Sequence, residues 1–204
     1  MRRSIALLAT VWLLSAAAPT ALAAGPTPVD PSTLTPPPNP SYDWTCVQHP
    51  EGIDCTGVAV QSGVDVNPDP SFSCDGHLIL VTYDQTVTAR RSHDADGRVT
   101  RNHLVGTFDE RWRLDGTTGP LLRSRGRWSE TQDYAVPGDT ASRTITDTGS
   151  TLAVSAPGQG VIFANTGRAV FSWDGSDVLA LAGPQAMIRD FDGAMAAVCA
   201  AFGA

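Results

Sequence analysis

The chain has 204 residues, with 14 basic side chains, all of them arginine, against 21 acidic ones. Setting aside Arg2 and Arg3 leaves 12 basic and 21 acidic residues, a formal charge of −9, which argues against nucleic acid as a partner. The one long apolar run, residues 4–18, is too short to span a ~30 Å hydrocarbon core comfortably, so no membrane span is expected after processing.

In chain order, Met1-Arg2-Arg3, that apolar run and Ala21-Leu22-Ala23 form the charged, apolar and small-residue parts of a cleavable signal peptide over residues 1–23. The expected destination is secreted, extracellular or cell-envelope associated. Residues 24–41 hold seven prolines between Gly25 and Pro40. This composition predicts a disordered, extended arm reaching roughly 45 Å at ~3.1 Å per residue. Residues 42–73 read as a small N-terminal module with two short strands around Cys46 and Cys55, too small to own a core.

From residue 74 to residue 204 the pattern is that of strands and turns. Strand-like runs at 77–89, 99–114, 121–134, 142–154, 161–164, 168–173 and 178–181 are separated by turn signals such as Asp94-Ala95-Asp96-Gly97 and Asn165-Thr166-Gly167. The last segment, from Asp190 to Phe202 with Gly203 after it, carries helix start and stop signals. The predicted fold is all-β, an antiparallel meander closed into a small barrel of about 7–8 strands, with a short C-terminal helix. Closure is favoured because long exposed strand edges invite aggregation. Four cysteines in an exported chain predict two disulfides, and Cys46 with Cys55 and Cys74 with Cys199 is the favoured pairing of three possible ones.

Phe72-Ser73-Cys74, Asp96-Gly97, Thr118-Gly119, Pro157-Gly158-Gln159-Gly160-Val161, Thr166-Gly167-Arg168 and Cys199 together resemble a group of exported actinobacterial small β-domain proteins with no activity assigned to them. The resemblance covers roughly residues 72–202 and implies a compact β domain without implying site residues. Lipocalin barrels are a looser comparison, since their opening Gly-x-Trp signature is missing.

The candidate site comes from the alternation of residues 99–134. One face carries Leu104, Phe108, Trp112, Leu114, Leu122, Trp128 and Tyr134, and Glu110, Glu130 and Gln132 share its parity. Polar groups set among aromatics are what a small-molecule site requires, so Trp112, Trp128, Tyr134, Glu110, Glu130 and Gln132 are the expected ligand-binding residues. The competing reading places the acids at a rim or behind a bulge. A six-residue turn would set Glu110 opposite Gly126 and leave Glu130 ~13 Å away, too far for a glycosidase pair. Asp147-Thr148-Gly149-Ser150 matches the core of the aspartic protease motif, yet Asp-Thr-Gly is also an ordinary turn or bulge tripeptide.

On the opposite face Arg111, Arg113, Arg123, Arg125 and Arg127 form a basic stripe relieved by Asp109 and Asp133. This stripe could dock on an anionic envelope polymer. Neither a cofactor nor a metal is implied, because the residues from Asp65 lack the Gly and Glu of a calcium loop and the four histidines show no ligand spacing. The leading expectation is a non-enzymatic binding protein for a small, partly apolar ligand. The alternatives are an envelope-interaction protein and a hydrolase.

Overall fold

The computed structural model describes residues 25–66 and 69–204. The expected signal peptide and the Asn67-Pro68 part of the turn-rich linker lie outside the described residues. The elements are β1 (Thr27–Val29), β2 (Asp43–His49), β3 (Gly52–Val66), β4 (Ser73–Cys74), β5 (His77–His93), β6 (Val99–Leu114), β7 (Leu122–Tyr134), β8 (Arg143–Ala156), β9 (Gly160–Phe171), β10 (Val178–Ala182), α1 (Ala186–Arg189) and α2 (Phe191–Phe202).

All ten strands belong to antiparallel pairings in the order β1-β2-β3-β5-β6-β7-β8-β9-β10, with β4 paired to β5. The sheet is not closed into a barrel, which corrects the expected architecture. It is nonetheless strongly curled. Gln61 on β3 and Leu152 on β8 line one groove, although four strand spacings of ~4.8 Å would set them ~19 Å apart in a flat sheet. The inner face that the open sheet leaves is covered at its two ends.

One end is covered by α2. Ala194, Met195, Val198, Ala201 and Phe202 are buried on one helical face, against Ile79, Trp112, Leu114, Leu122, Val154 and Phe163 of the sheet. The helix begins where the Asp190 side chain accepts a hydrogen bond from the Gly193 N–H at 2.9 Å and ends at Gly203, whose φ is 81°. The Cys74–Cys199 disulfide ties this helix to β4, which pairs with the start of β5, as the sequence predicts.

The other end is covered by the proline-rich segment. It is not an extended arm: Leu34 is 2% exposed among Cys46, Ile53 and Cys55, and β1 pairs with β2. The Thr35 N–H donates to the Gly97 carbonyl and the Thr35 carbonyl accepts from Val99, each at 2.9 Å, while Arg91 Nη2 donates to the Pro36 carbonyl at 2.7 Å. A proline-rich chain with few N–H groups is satisfied by a few such bonds once a leucine anchors it. The Cys46–Cys55 disulfide lies beneath this strap, and β3 continues the sheet into β5 across the expected boundary at residues 73 and 74.

Two expected short strands are the single strand β9. The Asn165-Thr166-Gly167 signal marks a close approach of chains rather than a turn. Gly167 has φ 120°, and a Cβ there would fall 2.3 Å from the Ala182 carbonyl oxygen, so glycine is needed for β10 to pass.

Removing the Cys74–Cys199 bond by serine substitution is expected to cost about 5 kcal/mol of stability at most, and removing Cys46–Cys55 about 2.5, from loop-closure entropy alone. Urea unfolding of the two double-serine variants checks the order. A larger loss from the short loop would refute the entropic ranking.

Candidate functional site

The strand register stacks the inner face in layers. Near the helix end, Asp65, Val81, Trp112 and Leu122 are successive partners across β3, β5, β6 and β7. One step further along, Gly63, Tyr83, Glu110, Ser124, Val154 and Phe163 continue the layer through β8 and β9. These two layers form a groove of about 370 Å³ lined by Gln61, Asp65, Phe72, Ile79, Val81, Tyr83, Glu110, Trp112 and Leu152 among others.

Glu110 is the polar centre of this groove. Trp112 Nε1 donates to Glu110 Oε2 at 3.0 Å. Opposite it on β7, the Ser124 side chain is fully buried. Burial pushes the Glu110 carboxyl up, opposed by the Trp112 indole N–H and the neighbouring Ser124 hydroxyl. A carboxylate in this setting lacks a counter-charge, since no basic residue lines the groove.

The remaining expected ligand residues gather elsewhere. Glu110 faces Ser124, and Gly126 faces Phe108, so the register differs by two residues from the one a six-residue turn implies. The reason is the connection: the last β6–β7 pair is Trp112 with Leu122, leaving Leu121 exposed outside the strand. Glu110 and Glu130 are therefore six residues apart along β7, roughly 20 Å.

Glu130 instead faces Asp147 of β8 directly. Tyr134 donates its hydroxyl to Gln132 Oε1 at 3.1 Å, and Gln132 Nε2 donates to Glu130 Oε1. Tyr42, from the segment leading into β2, comes over the same carboxylate: burial and then the Glu130 charge raise its pKa. Trp128 pairs with Gly106 and Gly149 and packs over the bare backbone of Gly106. It fills the face between the two polar regions and does not line the groove.

Asp147-Thr148-Gly149-Ser150 is part of strand β8, where the register shifts between Ser150 and Leu152. Gly149 has φ 96°, and a Cβ there would meet the Arg127 carbonyl oxygen at 2.6 Å. The bulge changes which parity of β8 faces inward, so Asp147 and Val154 lie on the same face. The Asp147 carboxyl is pushed up to about 6, first by burial and then by the Glu130 charge, and its Oδ1 has no hydrogen-bond partner.

The arginine stripe lies on the outer face, with Arg111 directly opposite Arg123. Asp109 Oδ2 meets Arg123 Nη2 at 3.0 Å and Arg125 Nε at 2.9 Å, which holds its carboxyl below the usual range. Asp133 pairs with Arg101 instead, at 3.0 Å, so it does not relieve the stripe. Among the described residues Arg111, Arg113 and Arg127 make no ion pair.

Sequence reasoning missed Tyr83, Val81, Ile79, Gln61, Asp65 and Leu152 as groove residues. The odd-numbered alternation of Ile79, Val81 and Tyr83 was a readable signal. Leu152 and Gln61 were not readable, because only the curl brings β8 and β3 to one groove.

Asp147 retains its proton in the fold over a range where the unfolded chain has lost it, so its contribution favours the fold near pH 4 and is lost as pH rises through about 6. Asp147→Asn is expected to raise stability at pH 7.5 by about 1–2 kcal/mol, after allowance for partial solvation, and by about a third as much at pH 4.5. Thermal unfolding at the two pH values reads this, and an equal effect at both would sink it.

Among the described residues no helix is long and apolar enough to cross a membrane, and no three His, Cys, Asp or Glu side chains are grouped to hold a metal ion. The two disulfides are consistent with an extracellular protein. No family model, no curated protein and no solved structure matches this chain.

Proposed function

We propose that this is a secreted, non-enzymatic binding protein that holds a small, partly apolar ligand against the inner face of its curled sheet. The observation that supports this reading is the groove of about 370 Å³, in which Tyr83, Trp112, Phe72, Ile79, Val81 and Leu152 surround the single half-buried carboxylate of Glu110. Its size and its ratio of apolar walls to a few placed polar groups are those of a small-molecule site. The open sheet leaves the groove reachable from the side, and the two disulfides hold its ends without requiring closure.

The neutral fluorescent probe N-phenyl-1-naphthylamine is expected to bind with a Kd of about 10–100 μM, the scale set by ligand efficiency for a molecule of its size. Gln61→Trp places a large side chain at an exposed position of the groove wall and is expected to weaken probe binding at least tenfold without loss of stability. Probe binding that is indifferent to Gln61→Trp would overturn the groove as the binding site.

A second reading rests on the arginine stripe: Arg111 opposed to Arg123, with Arg113 and Arg127 lacking ion pairs, favours docking on an anionic envelope polymer. Retention on immobilised poly(glycerol phosphate) is expected to fall steeply between 50 and about 300 mM salt, because exposed charges are screened over ~10 Å or less. The triple variant Arg111→Ser, Arg113→Ser, Arg127→Ser is expected to elute with the void. Unchanged retention of that variant would exclude the stripe.

A further inference from the structure

We infer that the groove selects organic cations: its ligand carries an ammonium group on an apolar body, with the ammonium against Glu110 and the body along Trp112 and Tyr83. This inference rests on the binding reading above and names the chemical class of the ligand.

Charge complementarity carries it. The groove wall contains two carboxylates, Glu110 and Asp65, and neither arginine nor histidine. Asp65 stands at the exposed mouth and Glu110 at the floor, so a cation entering from solvent meets negative charge at both depths. Glu110 Oε2 accepts a hydrogen bond from Trp112 Nε1 at 3.0 Å. The Ser124 hydroxyl, opposite it on the neighbouring strand, also favours the charged carboxylate.

A half-buried carboxylate without a counter-ion is costly. One ammonium group supplies the positive charge and the N–H donors that the groove wall does not offer it. The aromatic lining adds to the selection. Trp112 and Tyr83 occupy paired or neighbouring positions on β5 and β6 on either side of Glu110, and cations are attracted to aromatic faces. An anion of the same shape would meet two like charges, and a neutral alcohol would leave the Glu110 charge uncompensated. The outer arginine stripe is on the opposite face of the sheet, and none of its side chains lines the groove.

The test is calorimetric titration at pH 7.5 with three molecules of matched shape: 4-phenylbutylamine, 4-phenylbutan-1-ol and 4-phenylbutanoate. The amine is expected to bind at least tenfold more tightly than the alcohol, and the carboxylate to show no binding. Glu110→Gln keeps an acceptor for the Trp112 indole and is expected to abolish the preference for the amine over the alcohol, the two binding that variant with equal affinity. Asp65→Asn, at an exposed position, is expected to weaken the amine two- to threefold. Lowering the pH to 4.5 protonates Glu110 and is expected to reproduce the loss in the wild type. If amine and alcohol bind equally, cation selection is wrong and the apolar binding reading stands. If the amine is preferred but Glu110→Gln does not change it, the ammonium site is not here. If none of the three molecules and no N-phenyl-1-naphthylamine binds, the binding reading fails with it.

Discussion

A sheet that curls without closing has an inner face that hydrogen bonds between its end strands cannot seal, and this constraint organises the molecule. The face is long, running the length of β5 and β6, and no single element covers it. At one end α2 supplies an apolar face. At the other, the strap through Leu34 and Thr35 is fastened to the β5–β6 turn by backbone hydrogen bonds. Each cover is close to a disulfide, Cys74–Cys199 at the helix and Cys46–Cys55 at the strap. Small domains hold such covers covalently when their apolar area is limited.

What remains between the covers is polar in two places and apolar in between. Trp128, packed over Gly106, separates the Glu130–Asp147 pair from the Glu110 groove. The two acidic regions therefore differ in kind. At Glu130 and Asp147 the side chains answer one another and their neighbours Gln132, Tyr134 and Tyr42, and the unfavourable juxtaposition is relieved by a raised Asp147 pKa. At Glu110 the wall supplies aromatic rings and no counter-charge, and space remains. In the first region Asp147 Oδ1 is left without a hydrogen-bond partner, whereas in the second it is the Glu110 carboxylate that has no counter-charge in the groove wall.

The outer face has the reverse electrostatics. Of the five arginines on this face of β6 and β7, Arg123 and Arg125 share Asp109, while the chain as a whole is acidic. Separation of the two signs onto opposite faces of one sheet follows from the period-two alternation of strands. It allows a groove lined by two carboxylates and a surface with a row of arginines to coexist within one sheet thickness.

The linear sequence determined whatever depends on near neighbours. The alternation of Phe108, Trp112 and Leu114 identified the inner face, Asp190 and Gly203 bounded the terminal helix, and the cysteines indicated two staples. The tertiary structure alone decided what depends on register and curl. A two-residue difference in the β6–β7 register separated Glu110 from Glu130, and the bulge after Gly149 turned Asp147 inward to face Glu130. The curl carried Leu152 and Gln61 to one groove. Gly167 looked like a turn residue because close chain passage and tight turns both require a residue without Cβ. Leu34 was one apolar residue in a proline-rich segment, and only the surface formed by Cys46, Ile53 and Cys55 made it an anchor. Local patterning fixes which side of a strand is apolar, but the partner of each residue depends on loop lengths and bulges that cost little energy locally and displace every contact beyond them.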